Sequence, residues 1–265
     1  MKWNKIRQHA VSLLGILGYA MLVMPVLYCS ARVLLADSFI VPTESMEPAL
    51  SPGDRIWAWK LKYGARIYSS LDFSGRCPHC FRIPGVGRIR QGDIVVFNSP
   101  KNGTHGDSIW FTVNDVCCKR VAGCPGDRIG AVDGHCWNDK VMKPIGCRDS
   151  QELLRWTYDS IFVWNGRFEI FPEAGMGWNI KNWGPLTVPA RGMKIDTSIP
   201  RNAIYRSAVE YETGLSFDMV KGEYVFRHDW FFVLGDNSPL SFDSRFFGFV
   251  PDDFIIGVLC SGRGR

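Results

Sequence analysis

The sequence carries no long Lys/Arg block, no long-period repeat and no low-complexity segment. Its formal charge of +5 favours anionic surfaces slightly and, without a basic block, gives no footing for a nucleic-acid partner. The missing repeat excludes solenoid and propeller arrays. Only one Cys-x2-Cys pair is present, Cys77-Pro78-His79-Cys80, and no second pair completes a four-ligand zinc site. Histidine is scarce: the five are His9, His79, His105, His135 and His228, and none has a context suited to a Ser-His-Asp triad. No metal and no small-molecule cofactor is therefore expected. What remains is ordinary globular composition, 46% hydrophobic and 22% charged over 265 residues, enough for one or two cores.

One long hydrophobic run stands out. Ala10 to Ala31 contains no charge and is about the length of a bilayer-spanning helix, with Pro25 as a candidate kink. It is long for a signal-peptide core, and no small-x-small cleavage site follows it directly, so a retained anchor is expected. Lys2, Lys5 and Arg7 hold the N-terminus in the cytoplasm, which puts everything after Arg32 outside. Cys29 lies in the span. The other eight cysteines would then sit in an oxidising compartment, where some disulfides are expected. Cys136 with Cys147, or Cys77 with Cys80, are candidate pairs, and spacing does not choose between them.

Beyond the span the pattern is one of short strands and turns. Asp37 to Val41 leads into a serine turn. Strands are expected over Arg55–Trp59, Ile94–Phe97, Val116–Ala122, Tyr224–Leu234 and Phe254–Cys260, and a hairpin over Ile129–Met142 around Asp133-Gly134. The middle differs. Asp149-Ser150-Gln151-Glu152 reads as a capping box opening a helix. Ser198-Ile199-Pro200 reads as the start of another, through Ala203, Tyr205 and Val209 to Gly214. The expected class is mainly β: an antiparallel-sheet catalytic core with an inserted smaller α/β domain, after one transmembrane helix. The corresponding division is a tail over 1–9, an anchor over 10–31, core over 32–142, insertion over 143–223 and core again over 224–265.

Three separated motifs remain. They are Thr43-Glu44-Ser45-Met46-x-Pro48; Lys119-Arg120-Val121-Ala122-Gly123-x-Pro125-Gly126-Asp127; and Gly235-Asp236-Asn237 with Ser241-x-Asp243-Ser244-Arg245 and Gly248-Phe249-Val250-Pro251. A serine hydroxyl is a weak nucleophile until a base takes its proton. Without a histidine in these motifs, Lys119 is the candidate base. A free lysine titrates at about 10.4 and is charged at neutral pH, but burial among apolar neighbours such as Val116 and Val121 penalises the charged form. A Ser45–Lys119 dyad is thus physically sensible.

In this order, behind an N-terminal anchor, the motifs resemble the bacterial type I signal peptidases (leader peptidases) of the Gram-negative type with an inserted second domain. The resemblance covers most of the chain after the anchor and implies a membrane-bound serine endopeptidase of the cytoplasmic (inner) membrane. Its partners would be preprotein signal peptides and membrane lipid, and cleavage would follow small side chains at positions −1 and −3. A dedicated peptidase for one pilin or conjugation substrate would carry the same motifs, and an inactive membrane-anchored scaffold is the reading of another class, against which the intact Ser45, Lys119 and Ser241 set argues. The resemblance assigns attack to Ser45 and base, then acid, to Lys119. It places the oxyanion on the Ser45 N–H and the Thr43 hydroxyl, and has Ser241 orient the Lys119 amine. Asp243 and Arg245 would form a supporting pair, and Asp236 would brace the same loop. Glu44 departs from the small residue usual before the nucleophile, and its side chain must point away from the oxyanion. Met46 is expected to pack beneath the turn, and Phe246, Phe247 and Phe249 either to pack in the core or to form an apolar patch that rests on lipid.

Overall fold

The computed structural model describes residues 2–100, 108–141, 143–157 and 176–259, with side chains from Ser12 onward. His105, Met142, Cys260 and residues 158–175 of the expected insertion lie outside the described residues. Helix α1 runs Lys2–Leu34 with Pro25 inside it. Its stretch Ser12–Leu34, 23 residues, is long and apolar enough to cross a membrane. At about 1.5 Å per residue it matches a hydrocarbon core of about 30 Å. Leu14, Tyr19, Met21 and Leu22 on it are all exposed, as a lipid-facing helix requires.

Strand β1 (Ala36–Ile40) follows α1 directly and pairs antiparallel with β2 (Arg55–Trp59), Ser38 opposite Trp57. The hairpin of β3 (Arg66–Tyr68) and β4 (Cys80–Arg82) is a two-stranded ribbon. Strands β5 (Ile94–Asn98) and β6 (Val116–Gly123) pair in register, Val95 opposite Lys119. A turn then leads to β7 (Arg128–Val132) and β8 (His135–Asn138). The residues joining them, Asp133 and Gly134, have φ of 51° and 82°, the positive values that a two-residue I′ hairpin demands.

Helix α2 (Arg148–Trp156) carries Asp149 in its first turn and Arg155 in its last, both favourable to the helix dipole. The expected capping box does not form. Cys147 is the N-cap and makes no side-chain cap bond, while Ser150 bonds elsewhere. Strand β9 (Trp183–Thr187) pairs with β7, and β10 (Lys194–Asp196) pairs with β11 (Glu223–Val225). Between them Pro200 opens a 3₁₀ turn that runs into α3 (Arg206–Thr213), closed by Gly214 at φ 71°. The expected strand Tyr224–Leu234 is two: β11, then β12 (Trp230–Leu234), interrupted where Glu212 accepts hydrogen bonds from the Arg227 and His228 N–H groups. Short helix α4 (Ser244–Phe247), β13 (Val250–Pro251) and β14 (Ile255–Leu259) complete the described chain.

The main sheet has seven strands in the order β1-β2-β14-β5-β6-β12-β13. A second, three-stranded sheet orders β8-β7-β9. One apolar cluster joins them: Val95, Phe97 and Val121 from the first meet Ile129, Trp183 and Leu186 from the second, with Tyr205 and Val209. Residues of 143–223 therefore share the core of the rest, and β9 completes a sheet begun before residue 142. A smaller cluster, Val41, Ile56, Ala58 and Val96, lies on the other face of the main sheet near the anchor.

The packing decides between the two readings of the phenylalanine stretch and corrects the expected disulfides. Phe247 and Phe249 are fully buried in the main cluster, and Phe246 packs against it, so this stretch is not a lipid-facing patch. The reason is that α4 turns its aromatics onto β5 and β12: Phe247 lies 6.3 Å from Phe97, and Phe249 6.0 Å from Phe232. Cys136, Cys147, Cys77 and Cys80 are all free. Cys136 faces the buried Asp243 and Arg245, and burial pushes its thiol up to about 12, whereas Cys147 lies beside Arg120.

Candidate active site

Ser45 occupies a single 3₁₀ turn, Glu44–Met46, that follows β1. Val41 and Met46 are buried on either side of it, and Val41 exchanges backbone bonds with Gly53 and Asp54, which fixes where the turn leaves the sheet. The turn thus holds Ser45 down, 7% exposed, while Pro42, Thr43 and Glu44 stay exposed. Met46 packs beneath as expected.

Lys119 sits mid-strand in β6, 5% exposed. Side chains alternate along a strand. Cys117 and Val121 therefore join Lys119 on the face of the main cluster, while Val116 and Cys118 pack on the smaller one. The Lys119 Nζ donates to Ser45 Oγ at 2.5 Å, and the Thr43 hydroxyl reaches the same oxygen at 3.2 Å. Nucleophile candidate and base candidate, 74 positions apart, are thereby in direct contact.

The loop after β12 closes over this pair. Asn237 donates from its backbone N–H to the Ser45 carbonyl at 3.1 Å and from Nδ2 to the Glu44 carbonyl at 3.2 Å. Gly235 permits the approach: a Cβ there would lie 2.1 Å from Ser241 Oγ and 2.5 Å from the Ser45 carbonyl. Ser241 is buried at the same place. Its hydroxyl makes no hydrogen bond, so the expected bond to the Lys119 amine is not formed.

Two ion pairs hold the loop. Arg245 binds Asp243 through Nε and Nη2, each at 2.8 Å, and its Nη2 also reaches the Ser238 carbonyl. Gly235 N–H adds a third bond to Asp243, at 3.0 Å. Burial alone would raise the Asp243 carboxyl. The Arg245 charge and these hydrogen bonds outweigh it and hold the carboxyl below its ordinary value. Asp236 is gripped by Arg120 through Nε at 2.7 Å and Nη2 at 2.5 Å, and Arg120 also donates to the Gly92 carbonyl. Every residue singled out in the sequence, Thr43, Ser45, Lys119, Asp236, Ser241, Asp243 and Arg245, thus belongs to one constellation. What that constellation can do is nucleophilic acyl transfer, with an amine beside a hydroxyl in a largely dry site.

The family model for signal peptidase, peptidase S26, matches residues 14–260. This chain belongs to that family. Two signal peptidases I are similar over most of it. The one from Rickettsia massiliae is 30% identical over 238 residues, 84% of this chain and 70% of that one. The one from Buchnera aphidicola subsp. Baizongia pistaciae is 28% identical over 237 residues, 85% of this chain and 69% of that one. A Rickettsia bellii signal peptidase I is covered over 64% of its length. The crystal structure of a signal peptidase I from Enterococcus faecalis V583 matches 66% of this chain and 100% of its own, at TM-score 0.33 and 21% identity. As a member of the peptidase S26 family the chain is a serine endopeptidase.

Sequence reasoning about this S26 peptidase missed two residues that the site uses, Arg120 and Asn237. A signal for Arg120 exists. Adjacent cations on one strand face opposite ways, so Arg120 needs a partner that Lys119 does not share. Asn237 carried no such signal. Among the described residues, one group of donors could hold a metal: His228, Asp252 and Asp253, with donor atoms within 4.8 Å of one another. They already pair with one another. His228 Nδ1 is 2.9 Å from Asp252 Oδ1 and 3.4 Å from Asp253 Oδ2. Burial would lower His228, but the two carboxylates outweigh it and raise it.

Proposed function

We propose that the chain is a membrane-anchored signal peptidase that cuts N-terminal signal peptides from exported preproteins, with Ser45 as nucleophile and Lys119 as general base. The observation that carries this is the buried 2.5 Å contact between Lys119 Nζ and Ser45 Oγ. In its neutral form the amine takes the Ser45 proton as Oγ attacks the scissile carbonyl, then returns it to the leaving amine. The Thr43 hydroxyl, already directed at Ser45 Oγ, and the Ser45 N–H take the oxyanion. Ser241 places a buried hydroxyl in the loop that closes over the pair. Asp243–Arg245 and Arg120–Asp236 keep the loop rigid.

The site stands close in sequence to the end of α1, so the cleavage point of a membrane-inserted substrate meets Ser45 near the surface. We assign the N-terminus to the cytoplasm and the catalytic region to the far side of the inner membrane, on the basic residues before the span. Residues 32–142 and 224–265 carry the chemistry, and 143–223 supports it. Phe39, Leu50, Val116 and Cys118, half-buried on the small cluster, border a narrow apolar face suited to small side chains at −1 and −3. Lipid contact falls to exposed Trp57 and Trp59, which with Tyr28 and Leu35 line a cavity of about 760 Å³ at the end of α1.

Preprotein cleavage by the full-length enzyme tests the dyad. Ser45→Ala and Lys119→Arg are both expected to fold and to lose cleavage, because Arg keeps the charge but does not deprotonate at accessible pH. Wild-type turnover in a folded Lys119→Arg protein would reject Lys119 as the base.

A further inference from the structure

Ser150 lies in the first turn of α2, in a segment to which the chemistry above assigns nothing. Its Oγ does not cap its own helix. It accepts a hydrogen bond, 2.7 Å, from the backbone N–H of Ser238, 88 positions away. Ser238 is buried, so water does not readily replace that acceptor. The carbonyl of Ser238 is held from the other side by Arg245 Nη2 at 2.8 Å. Immediately before it, Asn237 clamps the Ser45 and Glu44 carbonyls. A continuous chain of contacts thus runs from α2 through Ser238 and Asn237 to the turn that carries Ser45.

The helix is firmly seated for this task. Gln151, buried, accepts the Cys136 N–H at 3.3 Å and donates to the Ile145 carbonyl, which ties α2 to β8. Leu154 anchors the same face in the main cluster. Gly146, at φ 74°, brings the approach to α2 against the catalytic loop: a Cβ there would lie 3.5 Å from Asp236 Oδ1.

We infer that Ser150 is a positioning residue for the nucleophile, and that through it helix α2 sets the catalytic rate. The inference rests on the reading of Ser45 as nucleophile. Without the Ser150 hydroxyl, the buried Ser238 N–H has no partner. The loop then shifts to find one, and the Asn237 clamp on Ser45 loosens. The substrate does not meet Ser150, so binding is spared while alignment of Ser45 Oγ with Lys119 Nζ suffers.

The test measures kcat, KM and melting temperature of the full-length protein in detergent on a short signal-peptide substrate. It uses Ser150→Ala, Ser150→Thr, Ser45→Ala and, on the exposed face of α2, Leu153→Ala. Ser150→Ala is expected to lose about tenfold in kcat, equivalent to about 1.4 kcal/mol. Its KM and melting temperature should change little. Ser150→Thr, which keeps the hydroxyl, should recover most of the rate, and Leu153→Ala should match wild type. Wild-type kcat in Ser150→Ala beside a dead Ser45→Ala overturns this inference alone. So does a rate loss that Ser150→Thr does not recover, or one that follows the melting temperature across the series. Turnover surviving in Ser45→Ala overturns the nucleophile reading, and this inference with it.

Discussion

Two aromatic stretches of this chain meet opposite fates. Phe246-Phe247-Gly248-Phe249 follows the catalytic loop and turns inward, Phe247 1% and Phe249 0% exposed. Arg55-Ile56-Trp57-Ala58-Trp59 turns both tryptophans outward, 52% and 40% exposed, and buries only Ile56 and Ala58. Composition alone favours the first as the lipid surface, since it is denser in aromatics. The difference lies in what each backbone covers. β2 stands next to the outermost strand of the sheet, and its inner face needs only aliphatic residues, Ile56 and Ala58, against Val41 and Val96. α4 closes the opposite part of the same sheet, where a ring is the right size to fill the space between β5 and β12. An aromatic side chain is thus a volume to be placed, and the sheet face decides where.

The contrast is sharpest at Arg245, immediately before the inward stretch. Arg245→Ala leaves the fully buried Asp243 carboxylate without its charge partner. Breaking such a pair costs about 3–5 kcal/mol, and cleavage should vanish with it. Urea denaturation and a cleavage assay read both effects; a loss under 1 kcal/mol would mean that the pair is not what holds the loop. Phe249→Ala should cost a similar or slightly smaller amount, about 3–5 kcal/mol, through the cavity left beside Tyr205 and Phe232. Trp57→Ala, by contrast, should stay within about 0.5 kcal/mol of wild type in the same denaturation experiment. It should instead weaken partition of the truncated catalytic region onto lipid vesicles, measured by co-sedimentation. Equal stability losses at positions 249 and 57 would erase the comparison.

A smaller effect separates the regions by pH. The Asp243 carboxyl is held below its unfolded value of about 3.9. Its contribution is therefore complete above that value and is lost as pH falls through the folded pKa. In Arg245→Ala the Gly235 N–H bond to Asp243 remains, but the charge that opposed burial is gone, so burial raises the carboxyl and that variant should gain stability as pH falls toward the raised pKa, opposite in sign to the wild-type trend at low pH. Parallel pH–stability curves for the two proteins would rule out this account. No carboxylate lies in Arg55–Trp59, and Trp57→Ala should follow the wild-type curve.

Much of this molecule is local, and the local part is legible. A charge-free run of bilayer length announces α1, because only a helix satisfies its backbone in lipid. Asp133-Gly134 announces its hairpin through the positive φ that both residues adopt. Ser45 and Lys119 are legible as residue types whose chemistry makes sense together, and the Gly235–Arg245 loop is legible through the resemblance to the signal peptidases. The interruption at Arg227-His228 was not legible, because Glu212 on α3 takes up the backbone N–H groups from outside the strand. Nor was the cap of α2: Ser150 has the right type and position for a capping role, yet a buried N–H on a distant loop takes its oxygen. The Arg120–Asp236 grip, the Asn237 clamp and the inward turn of Phe247 and Phe249 share one cause. Each depends on which groups a neighbouring element leaves without a partner or without filling, and that is settled only when strands far apart in sequence pack together. The sequence alone therefore determines the anchor, the strand periodicities and the reactive residue types. Tertiary packing decides their orientation, because burial and hydrogen-bond satisfaction are properties of the assembled core and not of any one segment.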